Sequence, residues 1–191
     1  MEIIMWQMQV FAFFQVIVLC RGLVAILIML TGMASAMALT QSSDTNNTAN
    51  EVIVKSGHFM VRDHLVIDLQ HGVEWMRCSV GQIWNGTDCE GVAVQLTQED
   101  VARAIVIANA QLGPGWRLPS RVELEGLVCK ACAPVKIELD SFPNTLGEPY
   151  WTGEVNGFAP RHIWTVNFMT GHTYGRFFPT QEVLVRLVRD R

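Results

Sequence analysis

Basic charge is what this sequence has least of. Fourteen lysines and arginines stand against 18 aspartates and glutamates, a formal net charge of −4. No stretch gathers the cations into a stripe, which argues against nucleic acid as a partner. Histidine is also sparse. His58, His64, His71, His162 and His172 form no His-x-x-x-His pair, and no Gly-x-Ser-x-Gly elbow occurs. Neither a catalytic residue nor a cofactor is therefore assigned. Calcium-dependent sugar binding needs clustered carboxylate and carbonyl oxygens. Glu148-Pro149 and Trp84-Asn85-Gly86 echo such motifs, but each lacks an oxygen-bearing partner, so no metal site is expected. There is no internal repeat.

What is present begins with an N-terminal segment unlike a globular domain. Ile3 to Leu19 is apolar but broken by Gln7, Gln9 and Gln15. Cys20 and Arg21 follow, then the apolar run Gly22 to Leu30 and small residues at Ala34, Ala36 and Ala38. A cation, a short apolar run and small residues in that order mark a secretory signal, with cleavage after Ala38. The stretch before Arg21 is long for a signal, which a true start downstream of Met1 would explain. The competing reading is a retained anchor, since Leu23 to Ala38 is slightly short of the about 20 residues that span a bilayer. Leu19 is too large to precede a lipid-modified cysteine. Residues 1–38 are thus read as signal or anchor, 39–53 as a polar leader and 54–191 as the domain. The leader's core, Thr40 to Asn50, has no apolar period. Glu2 and Arg21 leave together, so the mature chain keeps its charge of −4.

Cys78, Cys89, Cys129 and Cys132 remain after cleavage. An even number in an exported chain favours disulfides. The gap between Cys78 and Cys89 is wrong for a zinc knuckle and suits a bridge closing a turn, with Asn85-Gly86 as the reversal point. Such a bridge stabilises by about 2–3 kcal/mol in the chain-entropy model. Cys129 and Cys132 have redox spacing. They follow the apolar run Leu124 to Val128, however, where the negative end of a helix disfavours a thiolate. A structural bridge is expected there, with a redox role as the alternative.

Val54 to Leu69 is β-rich and consistent with one or two strands. Thr97 precedes Glu99 and Asp100 and can cap a helix, in which Val101, Ala104, Ile105 and Ala108 make an i, i+3, i+4, i+7 stripe. Gly113-Pro114-Gly115 ends it. Ser120 and Glu123 have capping-box spacing, behind a stiffening Pro119 and ahead of Leu124 and Leu127. From Tyr150 the pattern becomes β: Tyr150-Trp151-Thr152-Gly153-Glu154 followed by a turn, then Ile163 to Phe168 with Trp164, Val166 and Phe168 on one face. Thr170-Gly171-His172 turns that strand into a hairpin, and Val183 to Arg191 reads as one last strand. The class is α+β.

The series GVEWMRCSVGQIWNGTDCEG, WRLPSRVEL, Phe142-Pro143, YWTG and the terminal VRLVR resembles the Lcl C-terminal domain family over about residues 60 to 191. That family is best known at the ends of collagen-like bacterial surface adhesins. The resemblance implies a C-type-lectin-like fold, shared with formylglycine-generating enzymes: two helices packed on a twisted antiparallel sheet, stapled by disulfides. One departure is the missing tryptophan before the helix at Thr97 to Asn109. Most members have no assigned activity, so the resemblance carries over a scaffold and leaves the ligand open.

Three functions follow as expectations. The first is an exported, non-catalytic binding module of the periplasm or cell surface, adhesin-like, taking a glycan or an envelope protein. A structural or assembly subunit of a surface appendage such as a pilus is the second, and a formylglycine-generating-like enzyme the third. Trp84, in the stapled loop, is the binding candidate through ring stacking on sugar, with packing beside the disulfide as its alternative role. Trp116, Arg117, Pro119, Ser120, Glu123, Tyr150, Trp151, Trp164 and Arg186 are expected to be structural. Arg186 shares a strand face with Leu184 and Val188, which calls for a buried partner such as Glu123 that would pin the last strand to the capped helix. Membrane contact is expected only through the N-terminal segment.

Overall fold

The computed structural model describes residues 53–191. The signal or anchor segment, Cys20 and nearly all of the polar leader lie outside the described residues. Among the described residues no helix is long and apolar enough to cross a membrane.

Among the described residues, twelve short strands and two helices make an α+β fold in which sheet dominates. The first sheet runs β1 (Ile53–Ser56), β2 (Phe59–Arg62), β3 (Leu65–Asp68), β4 (Val73–Met76) and then β12 (Val188–Asp190), all antiparallel. Val54 to Leu69 therefore holds three strands, more than its sequence pattern suggests. The extra turn is tight: Asp63 takes a left-handed conformation at φ +53° between β2 and β3, which short polar side chains tolerate.

A two-stranded ribbon of β5 (Gln82–Trp84) and β6 (Cys89–Gly91) follows, then β7 (Gln95–Leu96) and helix α1 (Gln98–Leu112). Thr97 caps α1, its hydroxyl accepting from the Asp100 N–H at 3.2 Å. Val101 and Ala108 of the predicted stripe are buried. Helix α2 (Arg121–Gly126) opens on the full capping box of Ser120 and Glu123 and buries Leu124. It packs on β8 (Pro149–Val155) and β9 (Ile163–Asn167).

The second sheet has the order β10 (His172–Phe177), β9, β8, β11 (Val183–Leu184), β7. Its β8–β11 pair is parallel, through Leu184 opposite Tyr150. The expected single antiparallel sheet is thus two sheets, one of them mixed. β8 also continues to Val155, so the turn expected after Glu154 comes later, at 156–162. The closing segment is not one strand. β11 belongs to the second sheet and β12 to the first, with Val185 to Leu187 crossing between them and accepting from Val80 N–H (2.9 Å) and Met76 N–H (3.0 Å).

That crossing feeds both cores. Val66, Trp75, Leu124, Phe142, Tyr150, Phe168, Leu184 and Val188 make one cluster. Leu65, Val101, Trp116, Trp151, Ile163, Val185 and Leu187 make the other. Every large side chain of the segment from Val183 to Val188 is buried, so this segment closes both cores of the domain.

Candidate functional site

The site is built around the stapled ribbon. Cys78 and Cys89 are joined, as are Cys129 and Cys132. The reversal falls at Asn85-Gly86: Gly86 has φ +101°, and Asn85 Oδ1 accepts from the N–H groups of Thr87 and Asp88, each at 2.8 Å. The bridge and this turn both fix the same end of the ribbon, where Trp84 sits opposite Cys89 in register.

Trp84 is held on two sides. The Arg77 guanidinium lies 3.9 Å from its ring centroid, and its indole N–H donates to Asp63 Oδ1 at 2.9 Å. Arg77 is itself buried, donating to the carbonyls of Asp140 (2.9 Å), Ser141 (3.2 Å) and Asp63 (3.3 Å). Burial lowers its pKa from the ordinary arginine value, against the opposing charges of Asp63, Asp88 and Asp140. The Asp63 carboxyl is held below the usual carboxylate range by the His64 ring at 3.0 Å and then by the Trp84 N–H. A stacked cation of this kind contributes about 0.5–2 kcal/mol and sets the angle of the indole.

Between this ribbon and α1 runs a groove of about 790 Å³. Trp84 and Ile83 line the ribbon side, Ile107 and Leu112 the helix side, and Met76, Val80 and Leu187 also face it. Polar groups are few: Asp63, His64, Ser79, Gln82 and Gln111, besides the Trp84 indole N–H. Ile83 is 76% exposed and Ile107 55%, and exposed apolar groups facing each other across a groove mark an interaction surface. Gly81, at φ +95°, has no room for a Cβ, which would come within 2.5 Å of the Val92 carbonyl. A smaller cavity of about 420 Å³, lined by Val92, Leu139, Asn144 and Leu146, lies on the β6 side.

Of the residues expected to matter, Trp84 alone reaches the groove as a side chain with a polar handle; Cys78 also lines it. Arg117, Pro119, Ser120 and Glu123 form a separate junction. Arg117 grips both Glu123 oxygens at 2.9 Å and reaches Asp190 Oδ1 at 2.5 Å, while its backbone bridges Val188. This holds the Glu123 carboxyl down to about 2, chiefly through the Arg117 hydrogen bonds. Pro119 is buried and its carbonyl accepts from Gly153 N–H at 2.8 Å. Tyr150 and Trp151 are fully buried, bonded to Ser79 Oγ (2.9 Å) and the Leu96 carbonyl (2.7 Å). Trp116 is buried beneath the Arg189 guanidinium at 4.8 Å, and Trp164, half-buried, stacks on that of Arg121 at 4.9 Å.

Arg186 corrects an expectation. It is fully buried, but its hydrogen bonds go to the carbonyls of Met76 and Arg77 and the hydroxyls of Ser79 and Thr145, not to Glu123. Glu123 is already engaged by Arg117, which performs the pinning of the last strand expected of Arg186. Burial brings the Arg186 pKa down to about 10, so it stays protonated at neutral pH, facing the Phe142 ring at 4.9 Å.

Asp63, Ile83 and Ile107, which line the groove, and Arg77, buried behind the Trp84 ring, are residues that sequence reasoning missed. One signal was legible: from Ala104 to Trp116 no residue is charged, so α1 has an apolar outer face as well as a buried one. Nothing local distinguishes Arg77. The five histidines stay dispersed, and among the described residues no three His, Cys, Asp or Glu side chains gather as a metal site.

The arrangement defines a class: a disulfide-braced α+β domain presenting an aromatic-walled groove. The model of the Lcl C-terminal domain matches residues 64–189, and the chain belongs to that family. No curated protein and no solved structure matches it.

Proposed function

We propose that this chain is an exported, non-catalytic binding module, adhesin-like in use, on a lectin-like scaffold, and that its ligand lies in the groove between the stapled ribbon and α1. The observation that carries the reading is the fixed indole of Trp84, backed by Arg77 and tied to Asp63 beside about 790 Å³ of mostly apolar space. A ring locked before binding loses little freedom on contact, so stacking on a sugar face or an apolar side chain is not offset by ordering. The two disulfides support a compartment outside the reducing cytosol.

The test is a glycan array probed with the purified chain and with Trp84→Ala. Binding should be selective and fall at least tenfold in the variant, with the circular dichroism melt retained. Binding equal in both would overturn the site. Native material alkylated at harvest should show Cys78, Cys89, Cys129 and Cys132 unmodified; free thiols would remove the exported setting.

An assembly subunit is the second reading, favoured by one observation. Beyond the groove wall of Ile107 and Leu112, α1 exposes Val106 (69%) within the run from Ala104 to Leu112 that carries no charge. A blank array together with a crosslinked envelope neighbour captured from position 106 would select it.

A further inference from the structure

The loop joining β8 to β9 presents a different surface, one that does not involve the groove. Phe158 at its tip is 99% exposed. The loop is nonetheless built firmly. Asn156, buried, accepts from Phe158 N–H through Oδ1 (3.0 Å) and donates through Nδ2 to the Gly175 carbonyl (2.7 Å). Backbone bonds from Asn156 to His162 (2.8 Å), Ala159 to Asn156 (3.0 Å) and His162 to Ala159 (2.9 Å) close it. A fully exposed phenylalanine on a turn with its backbone satisfied is a projecting tip whose conformation is already set.

Other apolar groups are exposed on this loop and on the segment packed against it. Val155 at the loop's start is 56% exposed, and Phe178, 48% exposed, packs against His162 with ring centroids 4.4 Å apart. Pro160 and Pro179 are exposed beside them. Arg161 and Arg176 are also exposed, and among the described residues neither has an ion-pair partner; Arg176 meets only the Tyr174 ring, at 5.5 Å. Of the neighbouring carboxylates, Glu154 is turned to the start of α2, accepting from Arg121 N–H at 2.8 Å, and Glu182 is exposed. On a chain of net charge −4, this edge combines aromatic groups with uncompensated cations.

We propose that this edge docks on a lipid bilayer carrying anionic headgroups, with Phe158 entering the interface and Arg161 and Arg176 meeting phosphates. The shape favours a bilayer over a protein partner. A phenylalanine exposed to 99% suits a surface that yields around it, whereas a protein would have to supply a matching acid-rimmed pocket. Aromatic rings settle at the boundary between headgroups and chains, and cations beside them add attraction that depends on anionic lipid.

The experiment uses the chain as purified from its expressing cells, with vesicles of phosphatidylcholine alone or mixed three to one with phosphatidylglycerol. Phe158→Trp reads insertion at this residue whatever the N-terminal segment does. Relative to wild type, its added emission should be quenched by brominated lipid in the mixed vesicles. Phe158→Ala should lower partitioning about tenfold. Arg161→Ala with Arg176→Ala should lower it several-fold on mixed vesicles and leave neutral vesicles unchanged. Added emission that stays unquenched on vesicle-bound protein overturns the proposal. So does partitioning unaffected by any of the variants, or a photocrosslinker at position 158 that captures an envelope protein and no lipid.

Discussion

Arg117 and Arg186 both attach the segment from Val183 to Asp190 to the rest of the domain, and they do so with opposite chemistry. Arg117 is half-exposed and paired with two carboxylates, Glu123 and Asp190. Arg186 is fully buried and held by two carbonyls and two hydroxyls. A guanidinium in the interior thus needs oxygens in the right directions more than it needs a counter-charge. Its fork of donors matches a bent backbone at Met76–Arg77 and two fixed hydroxyls. Arg77 repeats the solution with three carbonyls. At the surface, where water competes, the formal charges pair instead.

The largest effect that would test this contrast is Arg186→Ala. It empties a filled volume and leaves Ser79, Thr145 and two carbonyls short of a donor, so unfolding free energy should fall by about 3 kcal/mol or more. Urea denaturation would measure it. A loss no greater than that of Arg117→Ala would end the distinction. Arg117→Ala should cost less, about 1–2 kcal/mol, because Arg117 is itself half-exposed and one of its two partners, Asp190, stands in water.

The smallest effect is also the most diagnostic, since it depends on pH. The Glu123 carboxyl is lowered from 4.5 to about 2 in the folded state. A depressed carboxyl contributes stability that is fully present above the unfolded value and lost as pH falls through the folded one. The gap in melting temperature between wild type and Glu123→Gln should therefore be constant above about pH 5 and close between about 4.5 and 2. A gap that does not change across that window would place the stabilisation in the capping hydrogen bonds rather than in the charge. The Arg186 variants should show no such window, having no carboxylate in their contacts.

Legibility in the sequence followed the range of the interaction. The capping box at Ser120 and Glu123, the Thr97 cap, the turn at Asn85-Gly86 and both disulfide pairs involve residues eleven apart or fewer, and each was readable as a local pattern. The strand at Val183 to Arg191 was misread as continuous because alternation cannot reveal that successive residues pair with different sheets. The partner of Arg186 was misassigned for the same reason: Met76 is 110 residues away, and a backbone carbonyl leaves no mark on composition.

The groove divides in the same way. Trp84 stood out by its place in a stapled turn, and the uncharged run of α1 was visible as a string of letters. That these two face each other, with Arg77 behind the indole and Asp63 at its edge, came only from the tertiary structure. Capping, turn chemistry and crosslinks are set by residues close in the chain, so the sequence alone determined them. The split of the final segment between two sheets, the oxygens around Arg186 and the walls of the groove depend on which distant surfaces meet, and folding alone decided that.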